Sequence, residues 1–170
     1  TYGDVYKNDV ISHPSSLCMS DERDWMTYSV CKGDIFFTRT SETTDDIGIS
    51  SVCMNTLEKC CFSGFLIKFR PIGERLSPSF SRFYFRSTFP LIHFTKEMNL
   101  VTRSSLSQGL LKTCHVLIPP LQEQERISSY LEGTLEKLDF ISEREIKRVD
   151  TRIVIVRTHT KSNRHNHLNA

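Results

Sequence analysis

Two consecutive prolines, Pro119 and Pro120, constrain the fold of this chain more than any other feature of its 170 residues. Proline lacks the backbone N–H that a helix interior or a sheet ladder requires, and its ring fixes φ at about −65°. Neither a helix nor a strand runs easily through such a pair, whereas the same geometry suits the entry of a new helix. The segment after Pro120 is therefore expected to be an element distinct from whatever precedes Pro119.

Residues 121–143, LQEQERISSYLEGTLEKLDFISE, meet that expectation. Ile127, Leu131, Thr134, Leu138 and Ile141 recur at spacings of four, three, four and three. That is the heptad rhythm of a helix packing along another helix, with Ile127, Leu131, Leu138 and Ile141 as the packing candidates. Gly133 weakens it by about 1 kcal/mol relative to alanine. A surface helix lying on its own domain satisfies two heptads equally well, so both readings stand.

Upstream of the prolines the pattern is that of an α/β (α+β) domain. CKGDIFFTRT (residues 31–40) places a turn at Lys32-Gly33-Asp34 before β-favouring Ile35, Phe36 and Phe37, and reads as a strand. SETTDD (41–46) is a polar loop whose side chains bond their own backbone, and IGISSVCM (47–54) is a second strand. In FSGFLIKFRP (62–71), Phe65, Ile67 and Phe69 alternate with Leu66, Lys68 and Arg70. These strands predict a small, mostly antiparallel sheet with packed helices, followed by the long C-terminal amphipathic helix.

Ser77-Pro78 pairs an N-cap with a proline at the first helical position, and Phe80, Phe83, Tyr84 and Ser87 then share a face. A break at Phe89-Pro90 leads to a second helix ending near residue 99, and CHVLIPP (114–120) reads as a short strand. The aromatic crowd of Phe80, Phe83, Tyr84, Phe85 and Phe89 offers a base-stacking platform, but aromatics at helical spacing are the ordinary content of a core.

Charge is unevenly distributed. Residues 1–67 carry a net −5, residues 68–103 a net +5 and residues 144–170 a net +5. Clustered Lys and Arg suit a polyanion, because phosphate contacts release counterions. A solvated basic face is the plainer reading of charge taken alone. No apolar run reaches the roughly 18 residues of a membrane span, so no membrane partner is expected. The six cysteines contain no C-x-x-C pair, and the adjacent Cys60 and Cys61 do not suit one tetrahedral zinc. Mostly buried thiols in a reducing cytoplasm are expected, with no metal site.

The segment VTRSSLSQ (101–108) gathers Arg103, Thr102, three serines and Gln108 around a single leucine. Arginine pairs bidentately with guanine and glutamine with adenine, while hydroxyls serve bases and phosphates alike. The alternative is helix capping, with Ser105 or Ser107 opening a helix that runs through Lys112.

GDIFFTRTSETTDDIGISSVCMN, FSGFLIKFRP, FYFRST, MNLVTRSSLSQGLL and VLIPPLQEQERISSYL occur in that order, and together they resemble the specificity subunit of type I restriction-modification systems. The similarity covers residues 3–141, and the IPPLxEQxxI segment soon after a polar loop ending in Gln is its most specific part. The resemblance implies a non-catalytic subunit built from two target-recognition domains, each followed by a helix, the two helices packing antiparallel as a spacer. Each domain reads one half of a bipartite site in double-stranded DNA. Such a subunit docks methyltransferase (modification) subunits carrying S-adenosylmethionine and, through them, restriction subunits that use ATP and Mg. This chain itself is expected to bind no cofactor and to pair with a second copy or with the other half of a specificity subunit.

By the same resemblance, residues 1–118 form one target-recognition domain, 119–145 the spacer helix and 146–170 an atypical tail, disordered or frameshifted. The DNA-contact candidates are Arg39, Thr40, Ser41 and Thr43 in one loop, Thr102, Arg103, Ser105, Ser107 and Gln108 in the other, and Lys7 as a backbone supporter; no catalytic residue is implied. Without an initiator methionine, the chain is expected to be part of a longer polypeptide, resembling the second half of a subunit. Two other classes remain open: the recognition end of a fused methyltransferase or nuclease, and an interaction module whose working surface is the helix. No methylation motif of the asparagine-proline-proline-aromatic kind supports the former.

Overall fold

A computed structural model describes the backbone of residues 1–41, 48–96 and 104–166. In chain order the elements are α1 (Tyr2–Lys7), β1 (Val10–Ile11), α2 (Glu22–Thr27), β2 (Ile35–Thr38), β3 (Thr40–Ser41) and β4 (Ser50–Cys53). They continue with β5 (Leu66–Phe69), α3 (Pro78–Tyr84), α4 (Thr88–Lys96), β6 (Ser104–Ser105), α5 (Gln108–Thr113) and α6 (Leu121–Asn166). Two compact units result, Thr1–Ser128 and a second beginning at Ser129, so the first two turns of α6 belong with the globular part.

The main sheet has the order β1-β4-β2-β5. β2 pairs antiparallel with both β4 and β5, and β1 adds a parallel edge beside β4. The α+β architecture and the largely antiparallel sheet agree with the sequence; β1, two residues long, carried no recognisable pattern. Every residue of β2 and β4 is buried, because both faces of the sheet are covered. Alternation here separates two cores. Ile35, Phe37, Val52 and Ile67 pack with Phe80, Phe85, Phe94 and Leu106 on one face. Phe36, Cys53 and Leu66 pack with Val5 and Val30 on the other. The expected alternation from Phe65 is corrected at its start: the strand begins at Leu66, leaving Phe65 exposed and Leu66 buried.

The turn before β2 is fixed from within. Gly33 takes a left-handed φ of 85°, Asp34 N–H donates to Cys31 O at 3.0 Å, and Cys31 N–H donates to the Asp34 carboxylate at 2.8 Å. Arg70 reaches across from the end of β5 and grips that fully buried carboxylate with two bonds, at 2.6 and 2.7 Å. These bonds push the Arg70 guanidinium further up from its ordinary range.

α3 starts as its sequence predicts, with Ser77 Oγ accepting from Phe80 N–H at 3.2 Å and Pro78 in the first turn. Aromatics here are largely core: Phe80 of α3 and Phe85 just after it are buried, Phe85 meets Phe37 and Phe69 edge-on, and Phe94 of α4 meets Phe37 likewise, whereas Phe89 is exposed. The break expected at Phe89-Pro90 falls earlier. α4 begins at Thr88 and takes Pro90 into its first turn, where no backbone N–H is needed. The strand expected over 114–120 is absent; that segment joins no ladder, and Leu117 N–H donates to Tyr84 Oη at 2.9 Å. Nor are the thiols mostly buried: Cys53 alone is, Cys18 is exposed and the other four are half-buried.

α6 runs to Asn166, through the stretch in which the heptad rhythm is lost. Extending an existing helix costs far less than starting one, which lets a poor sequence follow a good one. At its start, Gln124 is fully buried. Its Oε1 accepts from Ser77 N–H, and its Nε2 donates to the carbonyls of Arg75 and Pro119, each at 2.8 Å. Ile127 packs on the first core, and Ser128 Oγ donates to Gln124 O at 2.8 Å. Among the described residues no helix is long and apolar enough to cross a membrane.

Candidate nucleic-acid interface

The two polar loops singled out in the sequence lie some sixty residues apart along the chain and are adjacent in the fold. β3 continues past the end of β2, and β6 pairs with it antiparallel, Thr40 opposite Ser105 and Ser41 opposite Ser104. Leu106 closes the junction. Its N–H donates to Arg39 O at 2.8 Å, and its side chain is fully buried in the first core. An apolar residue within a polar segment, the one feature of VTRSSLSQ that neither base reading nor capping required, is thus the anchor of both loops.

Around this junction Arg39, Ser105, Ser107 and Gln108 are exposed and Thr40 is half-buried. Arg39 is held by its backbone, its N–H donating to Phe65 O at 3.0 Å; its guanidinium has no partner among the described residues. Ser107 is a helix cap, Oγ accepting from Leu110 N–H at 3.0 Å, so the capping alternative holds for that residue. Gln108 is the first residue of α5 and is among the residues lining a cavity of about 440 Å³, with Lys68 and Lys112. Thr43, Thr102 and Arg103 lie outside the described residues, as does the Ser41 side chain. Lys7 stands apart: it is exposed at the end of α1, whose Val5 packs on the opposite face of the sheet from Leu106.

The return of the first loop is also fixed. Gly48 has φ of 71°, and a Cβ there would lie 2.7 Å from Phe94 Cδ2, a distance no packed side chain tolerates. Its N–H donates to Thr38 O at 3.3 Å, which brings the chain back to the end of β2.

The electropositive middle of the sequence is largely scaffold. Lys68 donates to Ser29 O at 2.8 Å, and burial followed by the neighbouring Arg70 charge pulls its ammonium down from the ordinary range. Arg82 pairs with Asp9 at 2.5 Å. Arg86 reaches the carbonyls of Ser50, Val5 and Asn8 at 2.7, 3.2 and 2.6 Å, and burial lowers it. With Arg70 on Asp34, these four cations tie β4, β5 and α3 to their surroundings. The charge excess over 68–103 does not by itself mark a binding face.

Of the proposed helix-packing residues, Ile127 is taken up by the domain's own core. Leu131 is half-buried, and Leu138 and Ile141 are more than half exposed, as are Phe140 and Ile146. What sequence reasoning missed is Gln124. It sits inside the quoted IPPLxEQxxI segment, but a buried glutamine with three acceptors and donors in place has no signal in residue type alone.

No curated protein matches the chain. A family model, the type I restriction modification DNA specificity domain, matches residues 20–150, from the segment before α2 through the exposed part of α6. Both paired loops, the Leu106 anchor and the Gln124 tie fall inside that match, which spans most of the sequence. The chain belongs to the family of type I restriction modification DNA specificity domains, which recognise DNA sequence within restriction-modification systems.

Proposed function

We propose that the β3·β6 junction is the surface with which this specificity domain reads DNA. In this reading Arg39, Arg103 and Gln108 make the contacts of greatest effect, and Thr40, Ser41, Thr43, Thr102, Ser105 and Ser107 support them. The observation that carries it is the ladder that sets Thr40 opposite Ser105 and so turns two distant polar segments into one platform. Arginine and glutamine there have the donor geometry that base edges require. Lys7, on another part of the unit, would serve at most a phosphate.

The domain reads one half of a bipartite site in double-stranded DNA, with residues 1–118 as reader and 119–145 as spacer helix. The exposed apolar residues of α6 after Ile127 are the surface on which a second copy, the other half of a specificity subunit, or a methyltransferase subunit docks. S-adenosylmethionine, ATP and Mg belong to those partner subunits and to the restriction subunits beyond them, and the setting is cytoplasmic. The same exposed helix supports the second reading, an interaction module that does not touch DNA.

Duplex binding separates the two. The Arg39→Ala/Arg103→Ala protein should bind at least tenfold more weakly than the parent in low salt, and parental affinity should fall steeply as salt rises. Equal binding by parent and double variant would remove the assignment, and no binding by either would favour the interaction module.

A further inference from the structure

One pair of side chains outside the proposed interface has chemistry of its own. Cys18 Sγ and Cys61 Sγ lie 3.6 Å apart although the residues are 43 positions apart in sequence. Cys18 is the one exposed cysteine of the six, and it sits between Leu17 and Met19, both fully exposed. A segment with so little packing can close the remaining gap of about 1.5 Å to bonding distance at small cost. Cys61 follows Cys60, which packs against the second core with Phe62, so the other end of the pair is held by the domain.

We propose that Cys18 and Cys61 form an oxidative crosslink, a disulfide that staples the segment before α2 to the turn before β5. The oxidant is a hydroperoxide. It transfers one oxygen to the Cys18 sulfur, giving a sulfenic acid and, from hydrogen peroxide, one water. The Cys61 sulfur then attacks the Cys18 sulfur, an S–S bond forms, the S–O bond breaks, and a second water leaves with the Cys61 proton. Two thiols lose two electrons in all, and the peroxide O–O bond takes them.

The order of events follows from exposure. Burial, with the hydrogen bond to Cys18, pushes the Cys61 thiol up, so it is the poorer first target and the natural resolving partner. Cys53 is fully buried, and burial together with the Asp34 charge pushes it up to about 12, which keeps it out of the reaction. Cys60 is also raised by burial and packs inward, away from the role given to Cys61. The staple joins elements around the second core, on the face of the sheet opposite Leu106.

The test uses the full chain, treated with hydrogen peroxide and mapped after alkylation without reduction. Trypsin should release residues 8–23 joined to residues 60–68, and a reductant should separate them. Cys60→Ser should keep the crosslinked peptide, whereas Cys18→Ser and Cys61→Ser should each lose it. In the parent and in Cys60→Ser, oxidation should raise the thermal midpoint by about 5 °C or more, because the crosslink closes a long loop in the unfolded chain. A crosslink that survives in Cys61→Ser, a peroxide product with Cys18 oxidised but unlinked, or an unchanged midpoint in the crosslinked protein would each overturn the proposal.

Discussion

Replacing Gln124 should unfasten α6 from the domain that precedes it. In Gln124→Ala the Ser77 N–H loses its acceptor, and the carbonyls of Arg75 and Pro119 lose their donor. A buried polar group left without a partner costs about 1–3 kcal/mol. Arg75 is exposed, so its carbonyl can turn to water, leaving two full penalties and the lost packing of the side-chain stem. The expected loss is about 3 kcal/mol, a large share of the ~5–15 kcal/mol that keeps a domain folded. Urea unfolding of parent and variant, followed by helical circular dichroism and by the fluorescence of Trp25, the sole tryptophan, measures it. A loss below about 1 kcal/mol would refute the reasoning, since it would mean water replaces all three bonds without penalty.

Gln124→Glu sharpens the same point. A carboxylate keeps the bond from Ser77 N–H but turns a bare oxygen toward two carbonyls. That arrangement disfavours the charged form and lifts the folded-state pKa above the ordinary ~4.3 of a glutamate. A group whose folded pKa is raised contributes stability that is present below its unfolded value and lost as pH climbs through the folded one. The variant should therefore be less destabilised at pH 5 than at pH 8, relative to the parent at each pH. An equal deficit at both would show that the carboxylate finds water or a cation and that the site is not closed.

Leu106→Ala should cost about 2–4 kcal/mol through the cavity it leaves in the first core, and it should weaken duplex binding by loosening both loops; unchanged binding would separate the anchor from the interface. Arg70→Met strands the buried Asp34 carboxylate and should cost about 2 kcal/mol, below the ~3–5 kcal/mol of a fully buried pair because Arg70 is itself 43% exposed, while Asp34→Asn in the same chain should restore part of it in urea titrations. Burial pushes the Cys53 thiol up to about 12 in the folded state from an ordinary value near 9, so Cys53 contributes a fall in stability of about 1.4 kcal/mol per pH unit from pH 9 upward, and Cys53→Ala should make the alkaline slope shallower by that amount.

The parts legible in the sequence were those in which local chemistry and the final fold agree. The Lys32-Gly33 turn, the cap at Ser77-Pro78 and the entry of a helix after Pro119-Pro120 each need only neighbouring residues. The absent strand over 114–120 shows where that fails: Val116, Leu117 and Ile118 join no ladder, and a tyrosine hydroxyl takes one backbone group instead. The basic segment misleads in the same way, because Arg70, Arg82 and Arg86 are partnered by residues 36 to 81 positions away. At the proposed interface residue type singled out two separate segments, and only pairing in space joins Thr40 to Ser105.

That pairing also dictates how the proposed interface can change. The two segments meet through main-chain bonds, the β3·β6 ladder and the Leu106 N–H to Arg39 O, and a main-chain bond does not depend on side-chain identity. Arg39, Ser105 and Gln108 project from it exposed, so substitutions there should leave stability within about 0.5 kcal/mol while altering duplex preference. Ser107 differs, because its hydroxyl caps α5, and Ser107→Ala should cost about 1 kcal/mol whatever it does to binding. Selecting preferred duplexes from a random library with Arg39→Gln, Ser105→Ala, Gln108→Ala and Ser107→Ala, alongside urea titrations of each, tests the division. If the first three lose stability as Leu106→Ala does, the side chains are part of the scaffold, and a reading surface that can be exchanged without refolding the domain is excluded.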